Sequence, residues 1–365
     1  MLRPGRLERG AESRICKRNQ AGEHGEGNVV AKRPLGSTGM EITRVGFGAW
    51  AIGGGEWSFG WGSQEDSDSI AAIRHAVEAG VNWVDTAAAY GLGRSEEVVA
   101  TALEPFSEAD RPYVFTKCGL RWDDRDPMAP LRRVGRAESI REEVELSLKR
   151  LRTDRIDLYQ MHWPPEDGTP VEEYWGALLE LKQEGRIAAA GLSNHTARQL
   201  QAAERVGHVD SLQPPLSLIN REAAADLIPW CRDHDTGVIV YSPMQSGLLT
   251  GAFSAERVAG LPEDDWRRRD DQFTGVNLER NLALSRALRP VAERHGVTQA
   301  AIAVAWTLAW PGVTGAIVGA RRPDQVDSWL AAAGLDLTEE DLDELEIAID
   351  ATGSGSGPVR PPSGG

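Results

Sequence analysis

Four side chains able to move a proton or steady a charge stand where short apolar runs end. Asp85 and Tyr90 lie in Val81-Asn-Trp-Val-Asp-Thr-Ala-Ala-Ala-Tyr-Gly91, Lys117 in Phe115-Thr-Lys-Cys-Gly119, and His162 in Leu158-Tyr-Gln-Met-His-Trp-Pro164. Taken singly each has a structural reading: a strand-end Asp caps a turn, and a Tyr packs under a loop. Together a carboxylate, a phenol, an ammonium and an imidazole form an acid-base set. With Lys117 as nucleophile the same set would suit Schiff-base chemistry on a phosphorylated sugar. A lysine in so apolar a run is costly unless paired, and Asp85 is the obvious partner.

Such a set works only if the elements bearing it converge. Strand-like runs are read at 45–50, 82–87, 113–118, 156–163, 187–194, 211–214, 237–242 and 315–319. Amphipathic stretches alternate with them at 69–79, 94–103, 137–151, 171–184, 197–206, 223–232, 278–295 with 299–309, and 323–333. Ile140, Val144, Leu148 and Leu151 recur at helical spacing and mark a core-facing stripe. Eight strand-helix pairs are the count of a (β/α)8 TIM barrel, whose chemistry sits at the C-terminal ends of its strands. A doubly wound sheet would alternate in the same way. Its phosphate-binding fingerprint is only mimicked by Gly46-Phe-Gly-Ala-Trp-Ala51, which no helix follows, so that run reads as a tight strand exit.

The 365 residues carry 40 Lys and Arg against 55 Asp and Glu, a net charge of -15. With no basic stripe interleaved with aromatics, nucleic acid and anionic membranes are not expected partners. Cys16, Cys118 and Cys231 lack metal-ligand spacing, so no metal is expected and free thiols in a reducing compartment are. No apolar run approaches the roughly 20 residues of a membrane span, and a cytoplasmic location is the expectation. Residues 1–33 read as a disordered basic extension, 34–352 as the folded domain, and the Gly/Ser/Pro-rich run 353–365 as a mobile tail.

The chain resembles the aldo-keto reductase family over about 34–352. The resemblance is carried by Asp85-Thr-Ala-Ala-Ala-Tyr-Gly91, Phe115-Thr-Lys117, Tyr159-Gln-Met-His162, Gly191-Leu-Ser-Asn194, Leu212-Gln213, Tyr241-Ser-Pro243 with Gly247-Leu-Leu-Thr-Gly251, and Ile317-Val-Gly-Ala-Arg-Arg-Pro-Asp-Gln325. It implies a TIM barrel whose N-terminal β-hairpin plugs the floor, and a mobile loop, 250–277, near the site. It also implies NADP-dependent reduction of an aldehyde or ketone. Tyr90 would deliver the proton, its pKa lowered by Lys117, while Asp85 holds Lys117 charged and His162 polarises the carbonyl.

Ser193, Asn194 and Gln213 would fix the nicotinamide carboxamide and Tyr241 would stack on its ring. Further cofactor contacts are implied at Gly48, Trp50, Ser242, Pro243, Met244, Ser246, Leu248, Gly319 and Ala320, with Gln325 at the adenine edge. Arg321 offers a fork of donors to an adenosine 2′-phosphate, so NADP(H) is expected over NAD(H). Three positions depart from the family pattern: His195, read as a solvent-facing helix-start residue, Leu216, and Trp329, which stands where the family often has an adenine-binding Asn. Trp50, Trp57, Trp61, Trp122 and Trp163 fall in strand-end loops, where some could wall a pocket. A second role for such a barrel is regulatory: binding a partner while turning over cofactor slowly.

Overall fold

The protein's structure, a computed structural model, describes residues 31–55, 57–262 and 265–362. The stretch 1–30, with the extension read there, lies outside the described residues. Eight parallel strands close into a barrel: β1 (Val45–Gly48), β2 (Trp83–Asp85), β3 (Tyr113–Cys118), β4 (Ile156–Met161), β5 (Ile187–Ser193), β6 (Ser211–Gln213), β7 (Gly237–Val240) and β8 (Val313–Gly319). They pair in sequence order, and β8 returns to β1 through Gly319 opposite Gly48. Around them run α1 (Asp66–Glu78), α2 (Arg94–Leu103), α3 (Ala137–Leu151), α4 (Val171–Gln183), α5 (Ala197–Glu204), α6 (Leu227–Asp233), the short α7 (Ala255–Ala259), α8 (Gly275–His295), α9 (Gln299–Leu308), α10 (Pro323–Leu330) and α11 (Glu339–Thr352).

The two-residue period of a strand sorts the side chains into two apolar layers. Val84, Val114, Tyr159, Met161, Leu192, Leu212, Val240 and Val318 pack outward against helix residues such as Ile73, Val99 and Val144. Trp83, Phe115, Leu158, Ala189, Ile239 and Ile317 fill the barrel interior instead. Their layer is completed from below by Leu35, Met40 and Ile42 of a hairpin in which Lys32–Pro34 pairs antiparallel with Glu41–Thr43. The hairpin thus plugs the floor, and the Trp83 indole N–H donates to Thr43 O at 2.8 Å. A Cβ on Gly46 would sit 2.2 Å from the Trp83 ring. Gly46 is therefore required by that ring's bulk, and the strand exit read over 46–51 follows it, with Gly53 N–H turning back to Trp50 O at 3.2 Å.

Two residues beyond this apolar layer the same faces reach the barrel mouth. Trp83 leads to Asp85, Phe115 to Lys117, and Leu158 through Gln160 to His162. All eight strand readings coincide with observed strands, most of them ending one or two residues earlier than read. A two-stranded ribbon of Leu120–Arg121 with Arg132–Arg133, and helix α11, were not read from the sequence.

The terminal boundaries differ from the compositional reading. The hairpin starts at Lys32, inside the stretch assigned to the extension. Of the run taken for a mobile tail, residues 353–362 are described, and they pack. Ser354 is buried and donates to Asn281 Oδ1 at 2.6 Å, while Ser356 exchanges backbone bonds with Ile219 and Arg221. The Arg221 guanidinium caps the carbonyls of Leu218, Ser354 and Gly357, and Arg360 pairs with Glu339, Asp343 and Glu346 of α11. Glycine composition failed as a guide because it is close packing that demands Gly355: a Cβ there would lie 1.8 Å from Ile219 O.

Candidate active site

Asp85 closes β2, and the chain then tightens into a 3-10 turn, Tyr90–Gly93, that aims the phenol back over the barrel axis. Gly91 permits the turn: it takes a φ of 60°, and a Cβ on it would meet Gly53 O at 2.1 Å. Lys117 rises from β3 with its Nζ 2.5 Å from Asp85 Oδ1, 2.8 Å from Thr86 O and 3.4 Å from Tyr90 Oη. The His162 ring meets the Tyr90 ring edge-on at 5.6 Å. All four residues read as catalytic therefore converge. Asp85, Lys117 and His162 are buried and Tyr90 is half-buried.

Gln160 also belongs to this centre and was not singled out from the sequence. Asp85 Oδ2 accepts from Gln213 Nε2 at 2.9 Å and from Gln160 Nε2 at 3.5 Å, and the two amides meet at 3.3 Å. The available signal was parity: Gln160 lies between Leu158 and His162 on one strand face. With one carboxylate oxygen on Lys117 and the other on amides, Asp85 has little freedom to turn.

Burial dominates the titration of this centre. It pushes the Asp85 carboxyl up and the Lys117 ammonium down, and the attraction between the two opposes both shifts. Burial, the Asp85 charge and Tyr241 hold the Tyr90 phenol well above its ordinary value. The net shift is opposite to the lowering expected from Lys117. The phenol therefore stays protonated at neutral pH. His162 is held well below 6.5 by burial and by the charges of Lys117 and Arg133, so it is a neutral imidazole at neutral pH.

Most of the expected cofactor residues lie at the ends of β5 to β8, with Gly48 and Trp50 at the end of β1. Ser193 Oγ donates to Gln213 O at 3.0 Å. Asn194, in left-handed backbone at φ 62°, donates through Nδ2 to His162 O and Ser193 Oγ and accepts from the Tyr241 hydroxyl at 2.7 Å. After β7, Ser242, Gln245, Ser246 and Gly247 all have positive φ, the kind of backbone that turns successive N–H groups toward an anion. Leu248 is buried among core residues, so only its backbone is presented, and Met244 also packs on that core.

Past Gly319 and Ala320, the Arg321 guanidinium reaches Gln64 Oε1 at 2.5 Å and the carbonyls of Trp61 and Ser63. Its backbone N–H donates to Gln325 Oε1 at 2.7 Å. Arg267 and Arg322 lie close enough to depress the Arg321 pKa, an effect second to burial. Amides at one side, left-handed backbone between and a cluster of guanidiniums at the far side fit a nicotinamide dinucleotide laid across the mouth.

The tryptophans separate into groups. Trp50 stacks on Tyr90 at 6.4 Å and on Trp266 at 5.8 Å, with Trp61 edge-on. Trp57 is tilted against Tyr90 at 6.4 Å. Trp266 lies in the 250–277 loop and was not read from the sequence. Trp163 lies under the Arg133 guanidinium, and Trp122 donates to Asp124 beside a groove between α2 and α3 whose arginines pair with Asp66, Glu142, Glu96 and Glu104. His195 is not solvent-facing: it is buried, bonded to Tyr174 and to Ser193 O. The described cysteines, Cys118 and Cys231, are free and buried.

A barrel with this tetrad at its mouth is an oxidoreductase scaffold, and the family model described as "Aldo/keto reductase family" matches residues 44–350. The chain belongs to that family and is an NAD(P)H-dependent oxidoreductase. It is 36% identical over 319 residues to the aldo-keto reductase YhdN of Bacillus subtilis (strain 168), covering 87% of this chain and 93% of that protein. It is 35% identical over 323 residues to the NADH-specific methylglyoxal reductase of Escherichia coli (strain K12), covering 86% and 96%. Among solved structures, the glycerol dehydrogenase AKR11B4 from Gluconobacter oxydans superposes with a TM-score of 0.81 at 35% identity, covering 90% and 98%. Among the described residues no helix is long and apolar enough to cross a membrane.

Proposed function

We propose that the protein reduces an aldehyde or ketone to the alcohol with Tyr90 as the proton donor and NADPH as the preferred cofactor. The observation that carries this reading is the Lys117 ammonium set between Asp85 and Tyr90. The bound dihydronicotinamide would supply a hydride. Everything else falls to the chain: the neutral His162 donates an N–H to the carbonyl oxygen, and the protonated phenol gives up its hydrogen as negative charge builds there. Lys117 then faces a phenolate, and Asp85, fixed by Gln160 and Gln213, keeps the ammonium on station. Stacked Trp50 and tilted Trp57 wall the phenol with apolar surface, which suits a substrate whose carbonyl bears an apolar or aromatic group.

The cofactor preference is supported by the three clustered arginines. Arg321 now holds neutral acceptors, and a 2′-phosphate dianion offers its fork a charge-assisted bond that a ribose hydroxyl does not. The near-ultraviolet absorbance of reduced nicotinamide, followed against a panel of carbonyl compounds, tests the reaction; absence of multiple turnover with every member would overturn it. Fluorescence titration tests the preference: Arg321→Ala should raise the NADPH dissociation constant roughly ten-fold while leaving NADH nearly unchanged. Equal losses for both cofactors would remove Arg321 from the 2′-phosphate site.

A further inference from the structure

His195 is a buried titratable group that the proposed chemistry does not use. Its Nδ1 lies 2.8 Å from Ser193 O and its Nε2 2.9 Å from the Tyr174 hydroxyl. A carbonyl oxygen can only accept, so Nδ1 carries the hydrogen, Nε2 is the acceptor and Tyr174 is the donor. Burial holds the imidazole down to about 4, so this tautomer is the neutral form at working pH. Tyr174 belongs to the first turn of α4, outside the barrel, and it too is buried. A chain of two hydrogen bonds therefore runs from an outer helix to the Ser193 carbonyl. The peptide that begins there leads into Asn194, whose left-handed backbone and three-way side-chain contacts span His162, Ser193 and Tyr241.

We infer that Tyr174 and His195 are positioning residues that set the Ser193-Asn194 peptide, and through it the orientation of the nicotinamide ring. The inference rests on the reading of Ser193 and Asn194 as the carboxamide contact. The ring can lean only as far as its carboxamide allows, so a clamp free to rock would let the hydride-bearing carbon drift from the carbonyl. The adenosine and pyrophosphate ends bind elsewhere on the mouth and would not be affected.

The test compares His195→Phe, Tyr174→Phe and the double variant with wild type. Binding of NADPH and NADH is measured beside that of ADP-ribose and its 2′-phosphate, which lack the nicotinamide. Each single variant should weaken both whole cofactors about five-fold, leave both fragments unchanged, and lower kcat with little change in the carbonyl KM. The deuterium isotope effect from labelled cofactor should rise as hydride transfer becomes limiting. The double variant should be no worse than the more damaged single one, because the two residues act as one chain. Tyr174→Phe removes a single oxygen and keeps the ring, so it carries the test if His195→Phe fails to fold. Equal loss of fragments and whole cofactors, or no change in either, would overturn the inference. A wild-type protein that binds fragment and whole cofactor equally would instead overturn the carboxamide reading beneath it.

Discussion

Thr116 and Lys117 are neighbours on β3, and each is joined to a buried ion pair on its own side of the sheet. Outside the barrel, Thr116 Oγ1 donates to Glu96 Oε1 at 2.6 Å, while Glu96 Oε2 takes the Arg150 Nε at 2.6 Å. Inside, Lys117 joins Asp85. Both carboxylates are buried, and both sites hold a cation against an anion at hydrogen-bonding distance. The difference is where each chain of contacts ends. The outer one closes on itself, tying β3 to α2 and α3. The inner one runs on to Tyr90 at the mouth, so its cation faces a hydroxyl that can change charge. Buried pairs are weak evidence of stability and serve other ends when geometry leaves one contact open.

The comparison breaks most visibly at the inner pair. Tyr90→Phe should lower kcat by about three orders of magnitude with cofactor affinity nearly intact, and Lys117→Met should do comparable damage. Stopped-flow and steady-state rates on both variants and their combination would check this; losses that add in the double mutant would show that the two groups act separately. At the outer pair Glu96→Gln should cost about 2 to 4 kcal/mol of stability by stranding Arg150, read as a lower urea midpoint at constant m. Its kcat per folded molecule should stay within about two-fold of wild type. A thousand-fold drop there would erase the distinction drawn between the two sides of β3.

The neutral Tyr174-His195 chain makes a third case, sensitive to acid. The folded pKa of His195 lies at about 4 against 6.5 for an unperturbed imidazole. The unfolded chain therefore takes up a proton that the folded one refuses. Stability from this residue is complete above pH 6.5 and is lost as pH falls toward 4, by roughly 3 kcal/mol. Urea unfolding at pH 7 and pH 4.5 should show a shallower loss for His195→Phe than for wild type; parallel losses would count against a neutral buried imidazole. The smallest effect is expected at Gln160. Its contact with Asp85 is 3.5 Å long, and Gln160→Leu should lower kcat only about three-fold.

Strand alternation made most of this legible in the sequence. Knowing that Phe115 and Trp83 point inward fixes Lys117 and Asp85 on the same side, two residues nearer the mouth. The rule extends to Gln160 and would have found it. Helix α11 was legible too, since Thr338 and Asp341 form a capping box ahead of Leu342, Leu345 and Ile349. His195 was not, because its surroundings depend on Tyr174, brought in from helix α4. Trp266 was hidden for a similar reason: a loop's path across the mouth leaves no periodic trace.

The packing of Gly355 against Ile219 bears on how this sequence can drift. A stretch of serine and glycine ordinarily tolerates almost any replacement. Here, a saturation library should show a narrow band of intolerance at 354–357, centred where no side chain fits beside a carbonyl 1.8 Å from a built Cβ. Losing the carbonyls of Ser354 and Gly357 would also leave the buried Arg221 guanidinium short of acceptors. Selection would then hold spacer-like letters in place as firmly as core leucines.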